Sequence, residues 1–118
     1  MPRDDRHTAK AQRNEQFAES LDHSDATQEN WAVVAVFYSA LHYVQAVLSG
    51  SSINCKNHLD RAEEIAKDPI LKWVAGEYEH LFTTSMLARY GVTGLVGDPY
   101  RTAKARLEAI KKQVAKKA

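Results

Sequence analysis

A single cysteine, Cys55, stands in 118 residues, which excludes an intrachain disulfide and suits a reducing compartment. No stretch alternates apolar and polar residues over a useful length, so the sequence offers no β-strand. Internal repeats, low-complexity tracts and long linkers are absent too, and one domain covering 1–118 is expected. The amino-terminal stretch MPRDDRHTAKAQRNEQ is charged throughout and has no apolar run of the signal-peptide kind. The run from Trp31 to Leu41 is too short to cross a bilayer before His42 interrupts it. The expectation is a soluble, cytoplasmic protein with no membrane partner.

The usual cofactor and metal signatures are missing as well. GVTGLVG has three glycines but no phosphate-binding lysine, and it follows a helix rather than a strand, so it forms no nucleotide cradle. Cys55 and His58 have a zinc-like spacing that His42 or His80 could extend, but no second tight pair accompanies them. Glu77 and His80 form one Glu-x-x-His unit, whereas a di-iron bundle needs two such units and further inward carboxylates. Residues 31–49 hold no carboxylate at all. No metal and no cofactor are expected.

What the chain does contain is helical periodicity nearly throughout, with 44% hydrophobic residues and enough length to bury a core unaided. A first helix is predicted from Thr8 to Leu21, anchored by Phe17 and Leu21. Asp25 or Thr27 caps a second that reaches about Ser49, with Gln28 at capping-box spacing from Asp25. After the loop GSSINCK, a short third helix covers about Asn57 to Ala66. Asp68-Pro69 opens a fourth that reaches about Arg89, and Asp98-Pro99 opens a last helix over about 99–118. The fold class is therefore all-α: a four- to five-helix up-and-down bundle with the second and fourth helices at its centre.

The second helix, WAVVAVFYSALHYVQAVLS, is apolar nearly all round. At about 100° per residue, Trp31, Val34, Tyr38, His42, Gln45 and Ser49 share one sector, the helix's only polar arc. On the fourth helix, Tyr78, Phe82, Ser85 and Arg89 share a face with Leu71 and Val74. The two arcs can join in one interior cluster of Tyr38, His42, Gln45, Tyr78, Ser85 and Arg89, with His58 and Arg61 of the third helix at its rim. Two readings stand: a self-satisfied network that fixes helix register, or a binding site.

Charge is uneven. The chain carries +1 overall, yet Arg101, Lys104, Arg106, Lys111, Lys112, Lys116 and Lys117 face only Glu108 after residue 100. Arg101, Lys104, Lys111, Lys112, Lys116 and Lys117 are thus candidates for contact with a phosphate backbone or an acidic partner. The alternative is a solvated helix end whose cations complement its dipole.

The segments RNEQF, WAVVAVFYSALHYVQA, HLDR and YEHLFTTSMLARY resemble small bacterial members of the HEPN superfamily, the higher eukaryote and prokaryote nucleotide-binding domains. The resemblance covers about residues 9–90. Its strongest parts are Tyr38 with His42, His58 with Arg61, and the ending Ser85, Arg89, Tyr90. It implies a four- to five-helix bundle that is frequently a homodimer. Many members are ribonucleases of toxin, defence or stress systems; others are inactive binding modules or partners of nucleotidyltransferases. Active members carry an arginine followed after four to six residues by a histidine. Here the nearest approach is Arg3 and His7, three residues apart in between, in a segment expected to fray, so no catalytic residue is assigned. The expected function is a non-catalytic module that dimerises and binds RNA, a nucleotide or a protein partner such as a nucleotidyltransferase. The alternative is a metal-independent ribonuclease using His42 or His58 with Arg89.

Overall fold

Acidic and amide caps set the helix starts. In the computed structural model, which describes residues 3–117, five helices run Asp5–Ser20 (α1), Ala26–Gly50 (α2), His58–Lys67 (α3), Ala75–Tyr90 (α4) and Pro99–Val114 (α5). The side chains of Asp4, Asp25, Asn57 and Asp98 each accept from a backbone N–H of the first turn, at 2.9–3.4 Å. They satisfy donors that a helix start otherwise leaves bare. Gln28 does reach back, but to the N–H of Asp22 at 2.9 Å rather than to Asp25. The bundle is all-α, and no strand occurs among the described residues.

Two expectations about helix ends need correction. α1 begins three residues before Thr8, and the Asp4 N–H donates to the Ala46 carbonyl at 2.8 Å, tying the amino-terminal turn to α2. Asp68-Pro69 does not open α4 directly. The Asp68 carboxylate accepts from Ile70 and Leu71 N–H at 2.8 and 2.9 Å, capping a 3₁₀ turn over Leu71–Val74. Residues three apart eclipse in that geometry, so Leu71 and Val74 both turn into the core. Val74 then leaves helical geometry (φ −119°, ψ 17°), and α4 starts afresh at Ala75.

The core is one continuous cluster built round α2. Its 25 residues rise about 37 Å at 1.5 Å per residue, nearly the 41 Å length of the molecule. α1 lies on it through Ala11 and Ala18, small residues that let the helices approach until Ser39 Oγ donates to the Ala11 carbonyl at 2.8 Å. α5 contributes Ala103, Leu107, Ile110 and Val114, and α4 contributes Tyr78 and Leu81. α4 packs on α2 and α5 but is not enclosed, so α2 alone is central. Phe17 does not anchor α1, being 53% exposed; the buried stripe runs through residues 11, 15 and 18 instead. By length and composition α2 could cross a membrane, yet most of it is buried against the other helices.

Candidate functional site

The polar arc of α2 is the side of that helix left half-open. Trp31 is 55% exposed at one end, Tyr38 and His42 are half-buried along the middle, and Gln45 closes over at the other end. Each polar residue is met by a different element. Arg89 on α4 donates from Nη1 to the Tyr38 hydroxyl at 2.9 Å, and its guanidinium lies 5.6 Å from the Tyr38 ring and 5.2 Å from the Tyr90 ring. That placement is a cation–π clasp. His42 meets His7 of α1, with Nδ1 to Nδ1 at 3.0 Å and the rings stacked 5.2 Å apart. Gln45 Oε1 accepts from Arg61 Nε of α3 at 3.2 Å, while its amide nitrogen donates to Ser49 Oγ and to the Ile53 carbonyl, each at 2.9 Å.

Three separate stations along α2 therefore replace the single expected network. Tyr78 is fully buried beside the Arg61 guanidinium, and burial pushes its hydroxyl up to about 12 despite that positive charge. His58 stacks on Phe82 with centroids 3.5 Å apart and faces Glu79 through Nε2 at 3.1 Å. Ser85 does not join: it is wholly buried and its hydroxyl donates to the Phe82 carbonyl of its own helix at 2.9 Å. A serine in mid-helix often satisfies itself this way.

His7 is the site residue that the sequence reading passed over. One legible signal was available, because His7 lies four residues before Ala11 and so continues the buried stripe of α1. Its partner, 35 residues away, was not legible. Burial pushes His42 down to about 4, assisted by neighbouring His7 and by the positive charges of Lys10, Arg61 and Arg13. A hydrogen bond between two Nδ1 atoms requires one ring to accept through a bare nitrogen, and His42, held neutral, is suited to that role. Beside this pair lies a small open cleft of about 170 Å³, lined also by Leu41, Asn54 and Cys55. A larger apolar hollow of about 440 Å³ opens between α4, the glycine-containing loop and α5, on the opposite face of α4 from Tyr78 and Arg89. No group of three or more His, Cys, Asp or Glu suited to a metal ion occurs among the described residues.

The basic helix divides in two. Lys104 Nζ is bonded to Glu15 and, at 2.8 Å, to Glu19; Lys111 Nζ bonds Glu15 at 2.9 Å, and both lysines lie within 4 Å of Glu108. Tyr43 adds a hydroxyl to the other oxygen of Glu15 at 3.1 Å. Lys104 and Lys111 are thus bound into a network between α1 and α5 and are not free cations for a phosphate backbone. Burial opposes ionisation of Glu15, but the hydrogen bonds of the two lysines outweigh it and hold the carboxyl below its usual value. α5 ends at Val114, short of the expected 118; Arg101 and Lys112 on it and Lys116 just after it are exposed and Lys117 is half-exposed, so these four keep the carboxy-terminal end basic.

No protein-family model matches the chain, and no curated protein aligns with it significantly.

Proposed function

We propose that the chain is a HEPN-like helical module that works by binding rather than catalysis, pairing with a second copy and engaging RNA, a nucleotide or a protein partner in a defence, toxin–antitoxin or stress system. The observation that carries this reading is the polar arc of α2, along which Tyr38 bonds Arg89, His42 bonds His7 and Gln45 bonds Arg61. Its cations and aromatic faces suit phosphate and base. Exposed Trp31, Tyr90, Val92 and Val96 supply apolar area for a partner chain. Fluorescence anisotropy of labelled single-stranded RNA against metal-free protein, with light scattering for oligomeric state, tests it: binding without cleavage by a dimer is the expected result. A monomer that leaves RNA and nucleotides unbound refutes the pairing and the nucleic-acid part of this reading.

A second reading, metal-independent RNA cleavage, is favoured by the proximity of His7, His42 and Arg61, which joins proton-transfer groups to a guanidinium. Cleavage in the presence of a chelator, abolished by His42→Ala, would select it over the binding module.

A further inference from the structure

Arg61 is 9% exposed, and its side chain pairs with no carboxylate among the described residues. Its Nε rests on the neutral amide oxygen of Gln45 at 3.2 Å, and the other end of that amide is held by Ser49 and Ile53, so the contact is fixed in orientation. A buried charge without a counter-ion is costly, and proteins normally pair it. Arg61 lines the small cleft with His7 and His42, and no carboxylate lines it.

We propose that this cleft is a phosphate site, in which a tetrahedral phosphoryl group supplies the missing counter-charge of Arg61 and accepts hydrogen bonds from the guanidinium and from the His7–His42 pair. At about 170 Å³ the cleft is smaller than the roughly 300–1,000 Å³ of pockets that enclose a whole small molecule. It holds a head group, and whatever carries the phosphate lies outside the cleft. The groups acting on His42 are His7 and the cations Lys10, Arg61 and Arg13, and together with burial they hold its imidazole neutral. Asp60 and Glu64 act on Cys55 but line no part of the cleft. Burial pushes the Cys55 thiol up against the influence of Arg61, so it adds no negative charge to compete with an anion. A bound dianion reverses the field at His42 and favours its protonation. Phosphate binding is therefore coupled to proton uptake as pH falls through the raised bound-state midpoint of His42 toward its free value of about 4.

The phosphate has three sources that share this chemistry: inorganic phosphate, a mononucleotide and the 5′ end of an RNA strand. Calorimetric titration of the full chain with inorganic phosphate and with AMP, and anisotropy with 5′-phosphorylated against 5′-hydroxyl RNA of one sequence, separate them. Histidine C–H signals in NMR report the titration of His42 during the same additions. The expected results are saturable heat with phosphate, a rise of about one pH unit or more in the His42 midpoint, and tighter binding of whichever carrier fits outside the cleft. Arg61→Gln is expected to weaken phosphate binding about tenfold or more. Because Arg61 is buried, the exposed pair Lys10→Gln with Arg13→Gln serves as a second variant that leaves the core alone; it should weaken binding several-fold. Absence of heat and of a His42 shift at millimolar phosphate in the wild-type chain overturns the proposal, as does unchanged affinity in both variants. The site does not depend on the HEPN-like reading. Phosphate binding without RNA binding leaves it standing, whereas RNA binding indifferent to the 5′-phosphate and to free phosphate removes it.

Discussion

Replacing Glu15 by glutamine keeps the side-chain shape and the oxygen that accepts from Tyr43, but turns the carboxylate oxygen between Lys104 and Lys111 into a neutral group. Each charge-assisted hydrogen bond to a buried carboxylate contributes about 1.5–3 kcal/mol, so losing two sets an upper bound of about 3–6 kcal/mol. Two features lower it. The lysine side chains are 24% and 31% exposed, so water takes up part of their charge, and each keeps Glu108 as a residual partner. The expected loss for Glu15→Gln is about 2 kcal/mol at neutral pH. With a urea dependence of about 1–3 kcal/mol per molar, the unfolding midpoint followed by circular dichroism should fall by about 1 M. The effect has a definite pH signature: a carboxyl held below its unfolded value stabilises the native state above pH 4.5 and loses that contribution as pH falls through the lowered folded value. Wild type and variant should therefore converge in acid. Glu19→Gln, which removes a 54% exposed carboxylate from Lys104 alone, is the control and should cost less than about 0.5 kcal/mol. Equal midpoints for wild type and Glu15→Gln at pH 7 would refute the idea that this network joins α1 to α5.

His42 is held neutral, its value lowered from 6.5 to about 4, so the unfolded chain binds the extra proton and stability present above pH 6.5 is lost between there and pH 4. The full shift corresponds to about 3 kcal/mol, which half-exposure reduces to about 1 kcal/mol; a His42→Asn variant with an identical acid profile in thermal melts would contradict this. Changing Arg101, Lys112, Lys116 and Lys117 together to glutamine should weaken RNA binding and lower the salt slope by up to about 3 if all four meet phosphates, and unchanged anisotropy titrations would leave α5 as a solvated helix end. Ser52 adopts φ +64° in the turn after α2, a region that disfavours side chains by about 1–2 kcal/mol. Ser52→Gly should therefore leave the melting temperature level or raise it, and a clear drop would show that the hydroxyl holds the turn.

Local chemistry decided what was legible in the sequence. The caps at Asp25, Asn57 and Asp98 act within three residues of themselves, so the starts of α2, α3 and α5 could be read directly. The stripe Ala103, Leu107, Ile110, Val114 on α5 and the near-total burial of α2 followed from periodicity. The polar arc was legible for the same reason, and Tyr38 with Arg89 and Gln45 with Arg61 do meet on it.

Periodicity names the face of a helix but not what that face meets, and the departures among the polar groups trace to this. His7 meets His42 across 35 residues, and Glu15 meets Lys104 and Lys111 across 89 and 96. Only the docking of α1 on α2 and α5 could show that two lysines of a basic helix are bound within the fold while Arg61 is left without a counter-ion. The sequence alone settled helix content, the order of the helices and the central place of α2, because these depend on spacing and neighbouring residues. The tertiary structure decided which polar groups are satisfied and which remain available to a ligand, because that depends on distances between residues far apart in the chain.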